Sequence, residues 1–79
     1  MAEKPEQRIK RLEKEIELQK ELASQYDKVN DKTAERLKLE AQIAAQQAIK
    51  AKAAQQQNAA AVKNAELEIE KLREQQKEL

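Results

Sequence analysis

From Leu37 to Leu79 one stripe of positions runs without a slip. Leu37, Ala41, Ala44, Ala48, Ala51, Gln55, Asn58, Val62, Ala65, Ile69, Leu72, Gln76 and Leu79 follow one another by alternating steps of four and three. Side chains spaced this way share one face of a helix, and a mean step of about 3.5 is that of a coiled-coil seam. An intervening turn ordinarily resets such a phase. The stripe therefore predicts one long helix over about 33–79, a rod of about 70 Å at about 1.5 Å per residue.

The N-terminal part carries a second, bulkier stripe. Ile9, Leu12, Ile16, Gln19, Leu22 with Ala23, Tyr26 and Val29 again step by three and four. Pro5 suits the first turn of this helix, where its missing N–H would have no partner in any case, and Glu6 suits the positive end of the helix dipole. The helix signal falters between Tyr26 and Ala34. Asp27, Asn30, Asp31 and Thr33 have side chains that compete for backbone hydrogen bonds, which makes them good caps and poor interior residues. Asn30 can close the first helix, and Asp31 or Thr33 can open the second with Glu35 in its first turn. The expected order is a helix over about 5–29, a turn at about 30–32 and a helix over about 33–79, together one domain.

The chain has 79 residues, no glycine, no cysteine, no histidine and one aromatic side chain, Tyr26. A sheet would need β-branched and aromatic residues on a pleated face and turn residues between strands. The only such β-branched residues besides the isoleucines are Val29, Val62 and Thr33. The fold class is all-α. The favoured architecture is an antiparallel helical hairpin with a long second helix. The alternatives are a three-helix bundle broken near Asn58 and one continuous long helix, in which the first stripe runs through the break with a four-residue stutter.

In the hairpin, Leu22 falls near Ala41, Ile16 near Ala48 and Leu12 near Ala51, large against small, which fills space without voids. Ile9, Tyr26, Leu37 and Ala44 complete this packing set. The short helix, about 37 Å long, ends opposite Gln55. Val62, Ala65, Ile69, Leu72, Gln76 and Leu79 then have no partner in the chain. Four exposed large aliphatic side chains at about 1.5–3 kcal/mol each are a large fraction of a small domain's stability. The expectation is a homo-oligomer that pairs this seam with another chain. Gln55 and Asn58, amides on the seam, are expected to form a polar layer that fixes the register of that assembly.

The composition excludes much chemistry. Without histidine or cysteine no Ser–His or Cys–His pair can be built, so no catalytic, cofactor-binding or metal-binding residue is expected. Glu13 with Glu17, and Glu66 with Glu70 and Glu74, line up at spacings of four. Beside Lys71, Arg73 and Lys77 they read as a charged solvent face. Asp27, Asn30 and Asp31 lack the glycine and the closing glutamate of a calcium loop. The net charge is +1, from 16 basic and 15 acidic residues, so there is no long-range pull toward nucleic acid or anionic lipid. Arg8, Lys10, Arg11 and Lys14 do cluster, but Glu6, Glu13, Glu15 and Glu17 interleave with them, and no nucleic acid is expected as a partner. No apolar run approaches the ~20 residues that span a bilayer. The N-terminus lacks the apolar core of a signal peptide. No membrane is expected, and the expectation for location is a soluble cytoplasmic or synthetic protein.

Two resemblances add to this. Val29-Asn30-Asp31-Lys32-Thr33, between heptad-patterned helices with polar seam residues, resembles the short connections of de novo designed helical hairpins. That likeness implies symmetric bundles built around buried hydrogen-bond networks. Glu17-Leu18 followed by Lys20-Glu21-Leu22-Ala23-Ser24-Gln25-Tyr26 is similar to the Lys-Glu-Gly-Ala-Glu-Asn-Leu stretch in the antiparallel coiled-coil finger of Rho effectors such as the protein-kinase-C-related kinases. Leu67-Glu68-Ile69-Glu70-Lys71-Leu72 is similar to that finger's closing helix. This second likeness implies a small GTPase as an alternative protein partner.

Overall fold

A computed structural model describes residues 3–28 and 31–79, all of them in helices or the turns and ends that flank helices. The expected turn at about 30–32 falls partly on Val29 and Asn30, which lie outside the described residues. Three helices follow in order: α1 over Pro5–Tyr26, α2 over Lys32–Gln55 and α3 over Ala59–Lys77. The all-α class stands, in the form of a three-helix bundle.

Each helix begins where the sequence offers an acceptor or a preset backbone. Pro5 opens α1, and the N–H of Lys4 donates to Gln7 Oε1 at 3.3 Å. Asp31 caps α2, its Oδ1 accepting from the N–H of Thr33 at 3.0 Å, with Glu35 in the first turn. Asn58 caps α3 in the same way, accepting from the N–H of Ala61 at 3.2 Å. These caps satisfy donors that a helix cannot satisfy itself.

The long second helix expected over about 33–79 is corrected here: it breaks at Gln56–Asn58. The break is a Schellman closure. The N–H of Asn58 reaches back to the carbonyl of Ala53 at 2.9 Å and the N–H of Gln57 to that of Ala54 at 3.1 Å. This geometry needs its pivot in the left-handed region, and Gln57 stands there with φ 54°. The unbroken four-three stripe does not forbid the turn. Three residues outside the helices take about the place of one helical turn, so the spacing passes through the bend unaltered.

The bend folds α3 back along α2, and α2 becomes the central element. Ion pairs fix its two sides. Lys38 reaches Asp27 at the C-terminal end of α1 at 2.6 Å and Lys52 reaches Glu13 within α1 at 3.5 Å, whereas Lys50 reaches Glu66 of α3 at 3.3 Å. Lys50 and Lys52 are two residues apart, hence about 160° apart around the helix. Both neighbours run antiparallel to α2. No Cα of α1 lies within 8 Å of a Cα of α3. The molecule measures 42 × 22 × 18 Å, against the rod of about 70 Å that an unbroken second helix would make.

The core follows from this central position. Leu12 and Ala23 of α1, Ala34, Leu39, Ala41, Ala45, Ala48 and Ala53 of α2, and Ala65, Ile69 and Leu72 of α3 are its buried residues. Most are alanine. No side chain among the described residues is sealed off completely, and none of the buried ones is polar.

Candidate association surfaces

The residues expected to pack the first hairpin divide by their place on the helices. Leu12, Ala41 and Ala48 are buried; Ile9, Ile16, Tyr26, Leu37, Ala44 and Ala51 are half-buried; Leu22 is exposed. Asp27–Lys38 and Glu13–Lys52 are each fourteen residues apart on both helices, which sets the stagger within two residues of the expected pairing. Ala45 lies midway between Lys38 and Lys52 on one line of α2, and that line faces α1.

The seam expected to wait for a second chain is covered from within. Ala65, Ile69 and Leu72 are buried, and Val62 and Gln76 are half-buried; only Leu79 is exposed. The cause is the bend: it brings a second line of α2 over them. That line is Leu39, Ile43, Gln46, Lys50 and Ala53, again in steps of four and three, with Leu39 and Ala53 buried. Lys50 on this line meets Glu66 of α3. The line is present in the sequence, but a glutamine and a lysine in its middle hide it from a search for apolar periodicity.

Gln55 and Asn58 do not come together as a buried layer. Gln55 is half-buried at the last residue of α2, and Asn58 is exposed, its side chain committed to the cap of α3. An Asn on a seam position reads as a register device only while the helix runs through it; at a helix start the same side chain is an N-cap.

Among the described residues two open surfaces adjoin α1. On one side α1 and α3 stand apart over α2, leaving a cleft of about 350 Å³ with Ala23, Ala45 and Leu72 among its walls. Lys20, Asp27, Lys38 and Glu68 surround it with balanced charge. That balance favours neither an anion nor a cation. The other surface is the outer flank of α1, where Leu18 is 61% and Leu22 38% exposed, one helical turn apart. Leu67 is half exposed on α3.

Surface charge is arranged locally. Arg11 donates through Nε and Nη2 to the two carboxylate oxygens of Glu3, both at 3.1 Å. That hydrogen bond, with the attraction of the same carboxylate, raises the guanidinium above its ordinary value. Such exposed pairs contribute little to stability. Among the described residues no group of three or more acidic side chains is placed to hold a metal ion. Among them, too, no helix is long and apolar enough to cross a membrane.

Comparison with protein families, with curated proteins and with solved structures finds no match for this chain.

Proposed function

We propose that this chain is a structural helical-bundle protein that works by associating with other helices, in the first place a second copy of itself. It has no catalytic part in this reading: a chain without histidine or cysteine cannot compose the usual nucleophile–base pairs.

The observation that carries the proposal is the surface the folded chain leaves uncovered. Its accessible area is 6173 Å², whereas a compact monomer of 9.1 kDa exposes about 4,900 Å². The excess of roughly 1,300 Å² per chain is more than the ~800 Å² that each partner contributes to a standard protein–protein interface. Large aliphatic side chains lie within that surface at Leu18 and Leu22. The core that holds the monomer is made mostly of alanines, each of which removes little apolar area from water. Added helix–helix contact is therefore a larger share of this chain's stability than of that of a bundle with a full core.

Light scattering across a concentration series tests this. The expected result is a mass above 9.1 kDa that rises with concentration, with helix content unchanged. A constant monomer mass up to millimolar concentration sinks the self-association reading. A pull-down with nucleotide-loaded small GTPases then decides the rival reading, in which the hairpin face is an effector module.

A further inference from the structure

The turn at Gln56–Asn58 joins three properties. Its pivot, Gln57, holds φ 54° with a full side chain, a conformation that glycine adopts freely and other residues adopt at a cost. The residues on both sides, Ala53, Ala54 and Gln55 before it and Ala59, Ala60 and Ala61 after it, all favour helix over such a turn. And the backbone of α3 comes close to that of α2 alone, since no Cα of α1 lies within 8 Å of it.

From these we infer that α3 is an exchangeable element: two copies of this chain form a dimer in which each α3 leaves its own α2 and docks on the other copy's. The inference rests on the reading that the chain associates with itself, and it specifies how. Detaching α3 leaves the α1–α2 pairs Asp27–Lys38 and Glu13–Lys52 in place. It bares the line Leu39, Ile43 and Ala53 of α2 together with Ala65, Ile69 and Leu72 of α3. These two faces already fit each other, so a second copy restores every contact the first one lost.

What differs between the closed monomer and the exchanged dimer is therefore confined to the hinge and its surroundings. In the dimer Gln57 can leave the left-handed region, which favours exchange, and joining two molecules into one costs entropy, which opposes it. A short strained connection tips this balance toward exchange. The hinges also meet without obstruction. Ala54, Ala59 and Ala60 are all exposed around the turn, and side chains this small let two backbones approach closely. The two halves of the contact come from one sequence, so the partner is a second copy and no other chain.

The test uses cysteines at positions 50 and 66, whose native side chains meet across the α2–α3 seam. The Lys50→Cys, Glu66→Cys chain is concentrated, its dimer fraction is isolated, treated with a short bis-maleimide and then denatured. Exchange predicts that the two chains stay covalently joined. A product of single-chain mass overturns the exchange and leaves self-association standing by another surface. Absence of any dimer up to millimolar concentration overturns both. In the native background, Gln57→Gly is expected to weaken dimerisation about fivefold for each of two hinges, about twenty-five-fold together. A dimerisation constant that the Gln57→Gly substitution leaves unchanged also counts against the exchange.

Discussion

The two hairpins that share α2 are tied in different ways. Between α1 and α2 an ion pair stands toward each end of the seam, at Asp27–Lys38 and Glu13–Lys52, and the cap at Asp31 opens α2 without strain. Between α2 and α3 there is one ion pair among the described residues, Lys50–Glu66, and a turn whose pivot is left-handed at Gln57. Yet the second hairpin buries the larger aliphatics of its outer helix, Ile69 and Leu72. From α1 only Leu12 and Ala23 are buried. One hairpin is tied at its edges by ion pairs, and the other is held by its core against the preference of its turn. Apolar burial overrides an unfavourable turn when the side chains it covers are large enough, since about 1.5–3 kcal/mol for each outweighs the roughly 1–2 kcal/mol of a left-handed residue.

The strongest way to break this contrast is to remove the core of the second hairpin. Ile69→Ala should lower stability by about 2–4 kcal/mol, and amide exchange should rise first in α3 while α1 and α2 stay protected. Uniform exchange along the whole chain would show instead that both hairpins open as one unit.

The caps give the next largest effect. Asp31→Ala and Asn58→Ala should each cost about 1 kcal/mol in a denaturant titration. They should differ in place: Asn58→Ala frays the start of α3, and Asp31→Ala the start of α2, as read from residue-level amide exchange. If Asn58→Ala were neutral, its side chain would have no part in stopping the helix.

A smaller effect of opposite sign sharpens the point about the turn. Gln57→Gly should raise the stability of the closed chain by about 0.5–1 kcal/mol, because glycine accepts the left-handed conformation and part of the gain is lost to the freer unfolded chain. A melting temperature that falls on this substitution would contradict a strained pivot. Smallest of all, Lys52→Gln should change stability by less than about 0.5 kcal/mol, an effect that disappears in high salt, since Lys52 and Glu13 both keep contact with water.

Much of this fold is legible in the sequence. Helix periodicity names Leu12, Ala41, Ala48, Ala65, Ile69 and Leu72 as seam residues, and all six are buried. The chemistry of Asp31 marks a helix start, and there α2 begins. The bend is harder to read, for a physical reason. Gln56-Gln57-Asn58 contains no glycine or proline, the residues that usually announce a turn. Asn58 sits in phase with the seam, so it reads as a buried amide in place of a cap. Without the bend, the second face of α2 stays hidden and the 59–79 segment has no partner in the chain. At the candidate surfaces Leu22 belongs to the first stripe, where burial is expected, and Leu18 to neither stripe. Which large side chains stay open, as Leu18 and Leu22 do, depends on how three helices share one neighbour, and no single helix's pattern contains that.

The claim on which the rest turns is that the chain reverses at Gln56–Asn58, so that one helix serves two neighbours. Small-angle scattering on the monomer fraction, separated in line by size, measures this directly. The expected radius of gyration is near 13.8 Å, that of the Cα trace. A maximum dimension of about 70 Å, the length of an unbroken helix through residues 32–77, would contradict it.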